Sequence, residues 1–254
     1  MFIPLILIIM IIVPIPILIK NMLSNRNAYR GILEGAIAAM AGVASLLMMF
    51  WILTGVSFFE LINEGMNSVT LEDMKFAERY AMLGMEMPEP EELQLMLDYV
   101  KETMSLAVPG ILILLCLVIS YINYGIISWI LSKSGQRITT LPPMRSFSLP
   151  KSIVIGSLLI YILAYLSASA GIIDEGLIMF NLRMLFSFFM VIQGIAVLFF
   201  FGYVKNIPKL VILFMVTILI LIWIGQTILL VIGLADVIFD IRKRIYHIKN
   251  NRLQ

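Results

Sequence analysis

A single histidine, His247, and a single cysteine, Cys116, are all the chain offers of two residue types that carry much of protein chemistry. That scarcity argues against a zinc cluster and against a histidine-based catalytic triad, and no disulfide can close within the chain. Charge is scarce too. Only 13% of the 254 residues are Asp, Glu, Lys or Arg, about half the share typical of soluble domains. HExxH, GxSxG and a phosphate-binding glycine loop are all missing from the sequence, and each is a pattern that would place a catalytic group. The expectation is a protein that is not an enzyme, holds no cofactor or metal, and has no nucleic-acid partner. The 16 acidic residues fall near the ends of apolar runs or between them, which argues against a proton pump with a carboxylate at membrane depth. The chain has no ATP-binding module, so active transport would need a partner or an ion gradient.

What is abundant is apolar sequence. At 61% hydrophobic, with runs near 20 residues that do not alternate in polarity, the chain reads as an all-α polytopic transmembrane bundle in contact with the lipid bilayer. About six spans are expected. They cover roughly 2–19, 31–59, 104–131, 150–170, 177–203 and 210–239, treated as one membrane domain over 1–254. The first has no basic n-region and no small-residue cleavage site, so it is not a convincing signal peptide. Pro14 and Pro16 should kink or end it.

Between the second and third spans lies the one large polar excursion, 60–102, with 11 acidic and 3 basic residues. Thr70 and Asp73 are placed to cap a helix carrying Leu71, Met74, Ala77, Ala81 and Met85 on one side. Pro88 and Pro90 would end it. A second amphipathic helix with Leu93, Met96, Leu97, Val100 and Met104 follows before the third span. The expectation is an extracytoplasmic helical cap over the bundle mouth, read either as a cover or as a lid over a cavity.

Basic residues mark the other side. The connections 20–30, 133–151 and 205–209 hold three, four and two Lys or Arg, whereas 60–102 and 171–176 are acidic. This alternation suits five spans with the basic loops cytoplasmic. A simple sixth span would then carry Arg242, Lys243, Arg244, Lys249 and Arg252 to the opposite side, against the same rule. Three resolutions stand: a final segment that turns near Gly225-Gln226-Thr227 and returns, a tail that breaks the rule, or further helices ahead of this sequence.

Few polar residues lie inside the apolar runs. Asn123, Tyr124, Gln193 and Gln226 are the candidate ligand-binding residues; the competing reading is hydrogen bonding between helices or to a backbone carbonyl. Gly31, Gly35 and Ala39 recur every four residues, which lets helix backbones approach closely, within this chain or against a separate subunit. Glu34 is placed to pair with Arg30, and Arg183 with Asp174 or Glu175. Asp236, Asp240 and Arg244 follow at i, i+4 and i+8. They read either as one salt-bridged face or, with Arg242, as a docking surface for a membrane or cytoplasmic protein partner. Lys249 and Arg252 could meet anionic headgroups.

Three pieces, LPPMRSFSLPKS at 141–152, QGIAVLFFFGYVK at 193–205 and GLADVIFDIRKR at 233–244, together resemble the YybS-like family of bacterial multi-spanning membrane proteins. The resemblance runs from about Gly31 to Arg244. It implies a multi-pass protein of the bacterial cell membrane and carries no established activity. Members of that family have more transmembrane helix ahead of the excursion, so the resemblance implies a chain short at its N-terminus. The family is itself distantly similar to the substrate-binding membrane subunits of energy-coupling-factor transporters. That likeness implies a small-molecule binding or transport subunit with a polar pocket beneath the 60–102 cap. The alternative is a non-transporting scaffold that recruits partners through its small-residue faces and basic C-terminal end.

Overall fold

The computed structural model describes residues 2–70, 82, 84, 88–171 and 175–245. Among them all regular structure is helical, and they fall into two compact units, 1–140 and 141–254. Among the described residues four helices are long and apolar enough to cross a membrane, or five if one sharply bent pair counts as a span. The expected cap residue Asp73 and the stripe over 71–85, the Asp174 and Glu175 partners of Arg183, and His247, Lys249 and Arg252 lie outside the residues or side chains described.

Unit 1 begins with α1 (Phe2–Ile12) and α2 (Ile15–Leu23). Pro14 and Pro16 have no N–H to donate, and the helix breaks between them and Ile12 as the sequence predicts. The apolar stretch then continues to Leu23 and makes a candidate span of 21 residues over Ile3–Leu23. Helix α3 (Ala28–Thr54) starts at Asn27, whose side chain accepts from the Tyr29 N–H at 2.9 Å.

The expected continuation of α3 to Phe59 is corrected. Gly55 adopts φ +74° and donates its N–H to the Trp51 carbonyl, a left-handed ending that costs glycine little. A new helix, α4 (Phe58–Asn67), opens on a capping box. The Ser57 hydroxyl accepts from the Glu60 N–H and the Glu60 carboxylate accepts from the Ser57 N–H. Those bonds hold the Glu60 carboxyl below its ordinary range.

A second correction concerns the excursion. Its last part and the third span form one helix, α5 (Pro90–Lys133), 44 residues long with Pro109 inside it. At about 1.5 Å per residue it reaches roughly 65 Å, twice the hydrocarbon thickness of about 30 Å. Leu93 and Leu97 are buried while Met96 and Met104 are half exposed. The buried stripe at this end is thus narrower than the five-residue one the spacing predicts. The core of unit 1 gathers Ile6, Met10, Ala39, Val43, Leu46, Phe58 and Cys116 from α1, α3, α4 and α5.

Unit 2 opens with a loop whose 3-10 turn spans Met144–Ser146. It continues through α6 (Lys151–Ser169), α7 (Glu175–Val204), α8 (Lys209–Leu221) and α9 (Trp223–Phe239). Helices α8 and α9 meet at 113° across Ile222. A Cβ on Gly225 would overlap the Leu219 carbonyl, so glycine is what lets the two helices close this tightly.

Candidate functional site

Every sequence-selected polar residue in unit 1 is occupied by its own unit. Asn123 Nδ2 donates to the Ile11 carbonyl at 2.9 Å, at the interruption between α1 and α2. Tyr124, fully buried, donates its hydroxyl to the Thr139 carbonyl at 2.7 Å. Ser120, in the same polar section of the helix, donates to the Ile32 carbonyl at 2.8 Å. Asn123 lies some 50 Å along the helix axis from Pro90 at about 1.5 Å per residue, so α5 carries it well away from the start of the helix.

Gly31, Gly35 and Ala39 are also buried within this unit. A Cβ on Gly31 would sit 3.2 Å from Asn21 and 3.3 Å from the Tyr124 ring; one on Gly35 would sit 2.5 Å from the Ser120 hydroxyl and 2.7 Å from Leu18. The small-residue face is thus spent on α2 and α5. Glu34 accepts from Arg30 Nε at 2.9 Å and from Asn21 Nδ2 at 2.8 Å, with Arg26 at 3.8 Å.

The densest polar arrangement is in unit 2. Gln193, fully buried on α7, accepts the Leu149 N–H at 3.0 Å and donates to the Asp236 carboxylate at 2.6 Å. Asp236, 4% exposed on α9, also accepts from the Arg242 backbone N–H at 3.1 Å and from its guanidinium at 2.9 and 2.8 Å. The guanidinium's remaining nitrogen donates to the Arg145 and Phe147 carbonyls at 3.0 and 2.7 Å. One amide, one carboxylate and one guanidinium therefore tie the 141–150 loop to two helices, and the buried charges are paired and hydrogen-bonded.

Two glycines allow this. A Cβ on Gly194 would overlap the Leu229 carbonyl, and one on Gly233 would overlap the Met190 carbonyl. With backbones in contact, the short side chains of Gln193 and Asp236 reach each other. The three pieces at 141–152, 193–205 and 233–244 thus converge in space.

The expected single face Asp236–Asp240–Arg244 is corrected. Asp240 ends α9 at φ +51°, ψ 45°, so the helical register does not run on to Arg244. Asp236 pairs with Arg242 instead. Asp240 pairs with Lys151 at 2.7 Å and with Lys243 at 3.5 Å, while Arg244 is exposed. Gln226 is exposed and donates to the Ile220 carbonyl at 2.7 Å across the α8–α9 bend; it does not meet Gln193. The Asp236–Arg242 pair, six residues apart, has no regular helical spacing to announce it.

The hydrogen bond to Lys151, and then its charge, hold the Asp240 carboxyl below its ordinary value. A lowered folded-state pKa stabilises the fold above the unfolded value of about 3.9 for Asp and is lost as pH falls through the folded value. Lys151→Met should therefore move the acid limb of a stability-against-pH curve upward. An acid limb identical to wild type would refute this linkage.

Arg145 separates two clefts. Its guanidinium lies over the Tyr203 ring, 3.8 Å from the centroid. On one side is a cleft of about 510 Å³ whose lining includes Phe199, Asn206, Ile207, Lys209 and Ile212 and no carboxylate. On the other is one of about 280 Å³, which carries Asp236, Asp240, Arg242 and Lys243. The Arg145 carbonyl also accepts from Arg242, just past α9, and its side chain covers Tyr203 near the end of α7. Among the described residues no group of His, Cys, Asp and Glu is placed to hold a metal.

Residues 1–237 match a family model described as a predicted membrane protein (DUF2232). No curated protein and no solved structure matches the chain significantly.

Proposed function

The chain belongs to the DUF2232 family of predicted membrane proteins, and on that footing we propose that it is the small-molecule-binding or transport subunit of a bacterial plasma-membrane assembly. The observation that carries this reading is the cleft of about 510 Å³ beside Arg145, within the ligand-sized range of about 300–1,000 Å³. It joins apolar walls to two cations, Arg145 and Lys209. The YybS-like resemblance and the more distant one to energy-coupling-factor substrate-binding subunits agree with it. This reading moves the ligand from Asn123, Tyr124 and Gln193, whose polar groups serve helix packing, to the basic end of unit 2.

Native mass spectrometry of the intact protein, gently released from its own membrane, tests the reading. A bound species of fixed mass supports it. A bare chain, or one holding only a protein, moves the assignment to the second reading, a membrane scaffold. Exposed Lys243 and Arg244 beyond the Asp236–Arg242 pair favour that alternative.

The topology belongs to the same proposal. Helices α8 and α9 form a re-entrant hairpin that enters and leaves on the cytoplasmic side, which removes the conflict raised by the basic tail. Lys209→Cys and Arg244→Cys, each made in a Cys116→Ser background, should then react with an impermeant thiol reagent from the same membrane face. Labelling from opposite faces would establish a crossing span and overturn the hairpin.

A further inference from the structure

The larger cleft has a chemistry that goes beyond its ligand-sized volume. Its lining joins polar and cationic groups to apolar side chains. Arg145 comes from the 3-10 turn, Lys209 opens α8, and Asn206 turns the chain between α7 and α8 at φ +54°. Lys205 lies in the same turn. Arg145, Lys205 and Lys209 have no acidic partner within 4 Å among the described side chains, unlike Lys151, Arg242 and Lys243 in the same unit. Its apolar lining includes Phe199, Ile207, Ile212 and Met144.

Arg145 is held in place on two sides. Its carbonyl accepts from Arg242 at 3.0 Å and its guanidinium rests on the Tyr203 ring. The turn that carries it is closed by the Ser146 N–H and hydroxyl, both donating to the Pro143 carbonyl at 2.8 and 2.7 Å. A guanidinium lying over an aromatic ring can still donate from its remaining N–H groups to an oxyanion. The ammonium of Lys209 adds a second positive charge on the same cleft. The turn joining α7 and α8 lies between two strongly apolar helices, which places it where headgroups meet hydrocarbon. Basic clefts between helices at that depth suit anionic lipid headgroups.

We infer that this cleft binds an anionic phospholipid, its phosphate held by Arg145 and Lys209 and its first acyl carbons against Phe199, Ile207 and Ile212. The inference rests on the reading of the cleft as a binding site and names its ligand class. Charge on the rim selects an anionic over a zwitterionic headgroup, because a choline or ethanolamine cation would meet two positive charges and no carboxylate.

The test is titration of the full-length protein in detergent with phosphatidylglycerol or phosphatidylcholine, read by native mass spectrometry. Wild type should retain one phosphatidylglycerol at least tenfold more tightly than phosphatidylcholine, and Arg145→Gln with Lys209→Gln should erase that preference. Lys209→Gln alone, on an exposed residue, covers the case in which loss of the Tyr203 stack impairs folding, and should lower the preference several-fold. A preference unchanged in the folded Lys209→Gln protein would overturn the inference. So would displacement of the lipid by an equal concentration of inorganic phosphate, which would assign the site to a free anion. If wild type instead retains a non-lipid molecule that the variants lose, the lipid assignment falls and the binding-subunit reading stands. If wild type retains nothing in the cleft, both fall.

Discussion

Arg242→Met should destabilise unit 2 by about 3–5 kcal/mol, the usual cost of removing one partner of a buried ion pair. The Asp236 carboxylate, 4% exposed, would keep only the Gln193 amide and the Arg242 backbone N–H. The Arg145 and Phe147 carbonyls would each lose the donor they have from the guanidinium. Asp236→Leu in the same background should recover part of the loss, because an apolar replacement of both charges leaves no carboxylate without its counter-ion. Reversible unfolding in mixed micelles measures both. A single variant within about 1 kcal/mol of wild type, the range of an exposed pair, would show that the Asp236–Arg242 contact does not hold the 141–150 loop.

A comparably large effect is expected at the crossing of α7 and α9. In Gly233→Ala the added carbon would overlap the Met190 carbonyl and come 2.8 Å from the Gly194 nitrogen. Backbone on both sides cannot turn aside, so the helices must separate, and separation draws Gln193 off Asp236, now 2.6 Å away. The cost should exceed about 4 kcal/mol, in the exceptional tail for single substitutions. Gly202→Ala provides the contrast. Its added carbon would overlap the Ile212 side chain rather than backbone, and a side chain can change rotamer at about 1–3 kcal/mol. The fraction of each variant recovered folded after extraction and heating compares them. If the two prove equally stable, the backbone contact is not what sets the α7–α9 distance.

Long apolar runs and scarce charge are enough to read a helical membrane protein from this sequence, because hydrocarbon leaves the backbone almost no other choice. Where helices stop is less legible. Gly55 and Ile222 both lie inside apolar runs, and nothing in hydropathy separates a chain that turns from one that continues. The length of α5 was hidden for the opposite reason: composition changes near Met104 while the backbone does not. Pairings made by helical spacing fared as local rules do. Arg30 and Glu34 meet at i,i+4, but Arg244 is diverted because Asp240 takes a left-handed conformation. Apart from the six-residue step between Asp236 and Arg242, the bonds of the Gln193–Asp236–Arg242 arrangement span sequence separations of 43 to 97 residues, beyond any periodicity. The polar character of Gln193 in an apolar run did mark it as a residue in need of partners.

The break between α1 and α2 has a consequence for how the protein is made. The Ile11 carbonyl receives its side-chain donor from Asn123, 112 residues later, and hydrocarbon offers no substitute. At about 5–20 residues per second of synthesis, the nascent first segment waits on the order of ten seconds before that donor emerges. During that interval the break must stay near water, or in the insertion machinery, rather than partition fully into lipid. The α1–α2 segment is thus expected to complete its insertion only when α5 arrives, settling late although it is translated before α5.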